Sequence, residues 1–237
     1  MKKIVSLALA LMLCVAPVFC IPTAAETVEL SHEWTSFDMG ETHAAAIPPP
    51  GLGYAWGFNY DGPIGNGSTA SSNVLTPYNF ANGVAAVSAN NRTTAFIDGS
   101  GNLYLIGRIW WGTGGDTNMP TPYVYTEPYL FDTNVRSVSM GFDHLVYVKN
   151  NDTLWVYGEN GHGQLGSGNT TSSYTKTQRM TGVSYAVAGD CLTVAVKTDG
   201  TVYACGFNDY GQVGNNTTTE QKSFVQVTGL TNVYTVS

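Results

Sequence analysis

The chain reads as an all-β protein assembled from a repeated unit, and three observations carry that reading. A bulky residue followed by glycine recurs at Trp56-Gly57, Ile106-Gly107, Tyr157-Gly158 and Cys205-Gly206, at intervals of 50, 51 and 48 residues. A second landmark, Gly40, Asn90, Gly141 and Gly189, recurs upstream at the same intervals. No window sustains an apolar i, i+3, i+4 stripe over three turns, whereas short β-branched and apolar runs alternate with turn signals. Two independent features with one period mark about four copies of a 48–51-residue unit, near 34–84, 85–135, 136–183 and 184–231, with 232–237 opening a fifth.

Within each copy the apolar runs predict short strands joined by hairpins. In the fourth, Leu192 to Val196 and Thr201 to Ala204 flank Thr198-Asp199-Gly200, where glycine accepts positive φ. In the third, Leu145 to Val148 and Thr153 to Tyr157 flank Asn150-Asn151-Asp152, and in the second, Thr94 to Ile97 and Asn102 to Ile106 flank Asp98-Gly99-Ser100-Gly101. The first runs from Ala44 to Ile47 into Pro48-Pro49-Pro50-Gly51, a rigid turn because proline supplies no ladder donor. Each copy then closes on a glycine pair: Gly62-Pro63-Ile64-Gly65, Gly163-Gln164-Leu165-Gly166 and Gly211-Gln212-Val213-Gly214, with Gly112-Thr113-Gly114-Gly115 in the second. Polar stretches follow at 68–73, 169–173 and 215–219, predicting loops that lead to strands at Val74, Tyr174 and Phe224.

The first 25 residues read as an export signal: Lys2 and Lys3, an apolar run from Ile4 to Ala16, Pro17, and a small-residue cleavage site at Thr23-Ala24-Ala25. Residues 26–237 then form the mature repeat domain, with no stable membrane insertion after cleavage, and the lysine-rich start points to a bacterial source. The net charge of −7 becomes about −9 once Lys2 and Lys3 leave. The eight remaining Lys and Arg are scattered from Arg92 to Lys222, which excludes a nucleic-acid surface built on phosphate contacts. Of four cysteines, Cys191 and Cys205 remain. A two-residue turn at Asp199-Gly200 would set Cys205 opposite Val194 and Cys191 on the other face of the sheet, so both are expected as buried, unpaired thiols.

The motif Asn-x-x-Gly-Gln-x-Gly after an aromatic-glycine pair, as in Tyr157-Gly158-Glu159-Asn160-Gly161-His162-Gly163-Gln164-Leu165-Gly166, resembles the regulator of chromosome condensation repeat family. Gly206-Phe207-Asn208-Asp209-Tyr210-Gly211-Gln212-Val213-Gly214 repeats it, and Val138-Ser139-Met140-Gly141 and Val187-Ala188-Gly189 are similar to the family's opening strand and glycine. The third and fourth copies fit closely, the first carries Pro63 in the motif, and the second is degenerate. The resemblance implies a β-propeller of four-stranded blades, usually seven. Four units make an incomplete or open array, whose strand edges invite self-association.

No Gly-x-Ser-x-Gly, His-Glu-x-x-His, Gly-x-x-x-x-Gly-Lys or Cys-x-x-Cys motif occurs. We therefore read a non-enzymatic protein with no cofactor and no metal. His43 and His144, each three residues after its landmark glycine, read as packing residues. Equivalent propeller loops emerge on one face, and their middle positions hold Tyr60, Trp110, Trp111, His162 and Tyr210. Aromatic residues dominate binding hot spots, so the expected function is a secreted or cell-surface binding module that turns this loop face to an extracellular protein or cell-envelope partner. The alternatives are a carbohydrate or peptidoglycan (cell-wall glycan) binder, in which the same rings stack on sugars, and, further off, an extracellular hydrolase. Mass spectrometry of the exported chain is expected to find Glu26 at its N-terminus; retention of residues 1–25 would contradict the export reading.

Overall fold

The alternation of short apolar runs with turn residues produces sixteen strands and no helix among the described residues. The computed structural model describes residues 36–48, 51–78, 80, 82–109 and 124–236, all within the compact unit Trp34–Ser237. The first sheet holds β1 (Ser36–Met39), β2 (His43–Ile47), β3 (Tyr54–Gly57) and β4 (Ser72–Pro77), and the second β5 (Val84–Ala89), β6 (Thr93–Asp98), β7 (Leu103–Arg108) and β8 (Val124–Asp132). The third holds β9 (Val135–Met140), β10 (His144–Lys149), β11 (Thr153–Gly158) and β12 (Ser173–Thr181), and the fourth β13 (Val183–Ala188), β14 (Leu192–Lys197), β15 (Val202–Gly206) and β16 (Gln221–Gln226). Each sheet is an antiparallel meander in chain order. Strands β4, β12 and β16 start two, one and three residues ahead of the expected Val74, Tyr174 and Phe224.

Successive sheets pack face to face, and the first strands, β1, β5, β9 and β13, lie side by side. The four blades form an open array. Alternation along the strands decides what lies between them: Ala45, Ile47 and Ala55 of the first blade meet Val84, Val87, Phe96 and Ile106 of the second. Ala95, Ile97 and Leu105 meet Leu145, Tyr147 and Met140, and Val146, Val148 and Val156 meet Val183, Ala186 and Ala195. Burying each large side chain contributes about 1.5–3 kcal/mol, so these three clusters, more than any single sheet, hold the array together.

Polar groups stitch the same interfaces. His43 Nε2 lies 2.9 Å from Thr94 Oγ1 of the next blade, and that hydroxyl donates back to the Pro63 carbonyl at 2.7 Å. His144, Thr193 and the Gln164 carbonyl repeat the relay between the third and fourth blades at 3.0 and 2.7 Å. Because the threonine proton is committed to the carbonyl, the imidazole must donate from Nε2, so in its neutral form it is the Nε2–H tautomer. This accounts for the tolerance of Pro63 where other copies carry glutamine: the relay needs only the backbone carbonyl. Closer to the axis, Asp38 accepts from Ser88 Oγ and Ala89 N, Ser88 from Met140 N, and Ser139 from Ala188 N, at 2.8–3.0 Å.

The fourth-blade hairpin departs from the expected register. Thr193 pairs with Cys205 and Val194 with Ala204, because the loop has three residues. Lys197 N donates to Thr201 O, Gly200 N donates to Lys197 O, and Gly200 sits at φ +79°, the geometry of a type I turn closed by a left-handed residue. By alternation Cys191 therefore shares the face of Cys205. Both thiols are free; Cys205 is fully buried, but Cys191 is half-exposed at the strand entrance, where a buried residue was expected.

At the C-terminal side, Val233 N donates to Gly200 O at 3.2 Å, as Val84 does to Gly51, Val135 to Gly101 and Val183 to Asp152. Val84, Val135 and Val183 each start the first strand of a blade; Val233 makes the same backbone contact outside any strand.

Burial lowers the pKa of His43 and His144 to about 4, well below the ordinary 6.5. The unfolded chain then binds more protons than the folded one between pH 6.5 and 4, and stability falls as pH drops through that window. Asp143, raised to about 6 by burial and then by Glu159, acts in the opposite sense and offsets part of the loss. The melting temperature is expected to fall from pH 7 to pH 4.5, and less steeply in a His43→Gln/His144→Gln variant. Equal pH slopes for the two proteins would remove the histidines from this account.

Candidate binding face

In a four-stranded meander, the first turn and the loop between strands three and four lie at the same end of the blade. Backbone hydrogen bonds hold the two together: Phe58 N to Thr42 O, Arg108 N to Arg92 O, Glu159 N to Asp143 O and Phe207 N to Cys191 O, at 2.8–3.0 Å. The close approach requires glycine just before each donor. At Gly206, φ is +119°, and a Cβ would lie 2.3 Å from the Cys191 carbonyl oxygen. This gives the aromatic-glycine repeat its physical meaning.

One buried amide organises the loop in the first, third and fourth blades. Asn160, fully buried, accepts from Leu165 N at 2.8 Å and donates to Ser167 Oγ, Asn169 O and Thr171 O at 2.9–3.0 Å. Asn59 does the same with Ile64 N, Ser68 O and Ala70 O, and Asn208 with Val213 N, Thr217 O and Thr219 O. Two consecutive turns complete the motif: Gly163 N donates to Asn160 O and Gly166 N to Gly163 O, with both glycines at positive φ. Gln164 and Gln212 accept from His162 N and Tyr210 N, fixing the loop tips. In the degenerate second copy the equivalent position is Ile109, an apolar residue buried at the interface with the third blade.

The braced loops carry the expected site residues in two separate groups. Tyr60 is 72% exposed and stacks with Phe58 at 6.3 Å in the first blade. Tyr210, 87% exposed, lies 6.2 Å from Phe207, which in turn meets the His162 ring at 5.1 Å. His162 is tied down as well: its Nδ1 lies 2.5 Å from Glu220 Oε1, joining the third-blade loop to the fourth blade. Trp110 and Trp111 lie outside the described residues. Asp61, beside Tyr60, points inward instead, where Arg108 and Arg92 clamp it at 3.0 and 3.4 Å across the first blade interface. That clamp was not legible in the sequence, because both arginines belong to the next repeat.

The end of the array is also acidic. Asp143 lies close enough to Glu159 for the two charges to interact, and Asp190, Asp143 and Glu220 all add, after burial, to the upward shift of the Cys191 thiol. Glu159 accepts from Ser172 Oγ and Tyr174 OH at 2.7 and 2.8 Å. Among the described residues, no group of three or more His, Cys, Asp or Glu is placed to hold a metal ion.

An Asn160→Ala variant leaves the four loop groups named above without their buried partner, a loss of about 3 kcal/mol that should lower the melting temperature by roughly 6–12 °C. An unchanged melt by calorimetry would show that the loop does not depend on the amide.

Comparison with known proteins agrees with this construction. Models of the regulator of chromosome condensation (RCC1) repeat match residues 135–164, 183–212 and 199–237. The regulator of chromosome condensation of Mus musculus is 28% identical over 149 residues, 59% of this chain and 34% of its own. The ultraviolet-B receptor UVR8 of Arabidopsis thaliana is 30% identical over 135 residues, 54% of this chain and 30% of its own. Human WBSCR16 superposes with a TM-score of 0.67 at 18% identity, covering 80% of this chain and 52% of that one. Yeast RCC1 (Prp20), solved bound to Kap60, gives 0.67 at 17%, covering 80% and 48%. The chain thus spans about a third of the length of these curated relatives and about half of these structures. Its repeat motif, its four meander blades and these matches together show RCC1-type repeats, over residues 135–164 and 183–237, in a chain with the fold of an RCC1-like β-propeller.

Proposed function

We propose that the chain is exported and acts as a non-enzymatic binding module, presenting the aromatic loop face to an extracellular protein or a cell-envelope component. The observation that carries this reading is the exposure of Tyr60 and Tyr210 at the tips of loops whose bases are fixed by fully buried asparagines. Rings held this way lose little conformational freedom on binding, which is the condition under which aromatic contacts contribute most. Protein binding by the fold supports the choice: yeast RCC1 was solved bound to Kap60, and a second structure of it was described with binding to Gsp1p and histones. Trp110 and Trp111, in the equivalent loop of the second repeat, belong to the same face in this reading.

A Tyr60→Ala/Tyr210→Ala variant, and separately a Trp110→Ala/Trp111→Ala variant, should lose capture of the partner from the culture fluid and envelope fraction of the producing cells. For the tyrosine pair the melting temperature should stay within roughly 2 °C, because exposed side chains contribute little to folding. Parallel binding to immobilised peptidoglycan and glycans distinguishes a sugar ligand from a protein. Undiminished capture by both variants would remove the loop face from the function.

A further inference from the structure

The third blade packs against a described blade on each side, so what it leaves open is not an end of the array. At the far end of β10 from the loop tips lies a pocket of about 470 Å³, lined by Asn134, Lys149, Asn150, Asn151 and Trp155. That size falls within the range of small-ligand sites, roughly 300–1,000 Å³.

The aromatic ring belongs to the repeat, but its surroundings do not. Tyr104 and Tyr203 hold the place of Trp155, each three residues before the glycine that ends the third strand region, Gly107 and Gly206 against Gly158. At the first interface residues 78–83 link the blades, and Phe80 covers Tyr104 with ring centroids 5.0 Å apart. At the second only Thr133 and Asn134 join β8 to β9, so no aromatic residue of the link lies over Trp155 and the pocket remains. The indole is fixed in place: it stacks on Tyr147 at 6.3 Å, and Nε1 donates to Thr153 Oγ1 at 2.9 Å, which donates to Asn151 Oδ1 at 2.6 Å.

The turn itself does not require the amides around the ring. Asn150 N donates to Asn134 O as Gly99 N does to Gly83 O and Thr198 N to Gly182 O. Asn134 adopts φ +60° where the other two are glycines at +67° and +65°, so both neighbouring blades build this contact with no amide at either position. Among the described residues the Asn150 amide makes no hydrogen bond, the Asn134 amide reaches only Thr133 Oγ1 at 3.5 Å, and Asn151 keeps its NH2 group unused.

The charges beside the pocket are paired, Lys149 with Asp132 at 2.8 Å and Arg136 with Asp152 at 2.5 Å. Lys149 Nζ, 4.9 Å from the indole centre, thus adds a donor without adding net charge. A fixed indole ringed by groups that both donate and accept suits a ligand with a C–H face and many hydroxyls, which is the chemistry of a sugar ring. An anion would find the lysine committed, and a wholly apolar ligand would strip water from the amides without replacing it.

We propose that this pocket binds a neutral pyranose unit of an oligosaccharide, with Trp155 as the stacking surface and Asn134, Asn150 and Asn151 as partners of its hydroxyl groups. The site is distinct from the loop tips and does not require them.

The test titrates the purified protein with cellotetraose, chitotetraose and maltotetraose by calorimetry, with adenosine monophosphate as a planar, anionic control. At least one sugar should bind, and its affinity should change less than about twofold between about 50 and 300 mM salt, because the ligand is uncharged. Asn134→Gly/Asn150→Thr, which gives the turn the residues of the fourth blade, should weaken that sugar about tenfold, the value of two hydrogen bonds, with an unchanged melting temperature. Trp155→Tyr, the ring of the neighbouring blades, should weaken it as well, and Tyr60→Ala/Tyr210→Ala should leave it unchanged. No heat from any of the sugars at about 10 mM, tighter binding of the nucleotide than of every sugar, an affinity indifferent to the asparagine pair, or loss only in the tyrosine variant would each overturn the proposal.

Discussion

A single asparagine side chain, buried at the base of each complete repeat, is the constraint on which the rest of the molecule depends. An amide is the smallest side chain that offers one acceptor and two donors in a plane, and Asn59, Asn160 and Asn208 use both functions. A loop of 14 residues between the third and fourth strands would otherwise carry unpaired backbone carbonyls into the protein. With the amide in place those carbonyls are satisfied, the two glycine turns follow in a fixed geometry, and the chain is delivered back to the outer strand. The loop tips are then held by the core and do not wander over the surface.

The same economy governs the blade interfaces. Each sheet buries one face against its neighbour through aliphatic side chains, and a small set of polar relays fixes the angle at which they meet. The histidine–threonine–carbonyl relay occurs at the first and third interfaces, where His43 and His144 sit. At the second interface Thr93 instead donates to the Arg108 carbonyl of its own blade, and Leu145 occupies the position that threonine holds elsewhere. Neither His43 nor His144 faces a residue unable to partner its Nε2.

Much of the fold was legible before any coordinates. The period of about 50, the hairpin signals and the glycine pairs located the strands to within a few residues, because each feature rests on local backbone chemistry: positive φ at glycine, alternation in strands, asparagine and aspartate in turns. The two thiols and the turn of the last blade were harder. A two-residue and a three-residue turn share the sequence Thr198-Asp199-Gly200, and only the hydrogen bond from Lys197 to Thr201 separates them, so the pairing of Cys205 came out one residue from the expected partner. The candidate site was legible in part. Tyr60 and Tyr210 could be placed on exposed loops from the repeat alignment, whereas the capture of His162 by Glu220 and of Asp61 by Arg92 and Arg108 could not, since the partners lie between 31 and 58 residues away.

The sequence by itself determined the all-β class, the repeat, and the asparagine-glycine motif of the first, third and fourth loops, because these are set by residues within one unit. The tertiary structure decided which polar groups pair across blades and which aromatic rings remain in water. These depend on how one unit is placed against the next. Residues spaced by a full repeat become neighbours only when the sheets pack, and nothing in the local chemistry of either one announces the other.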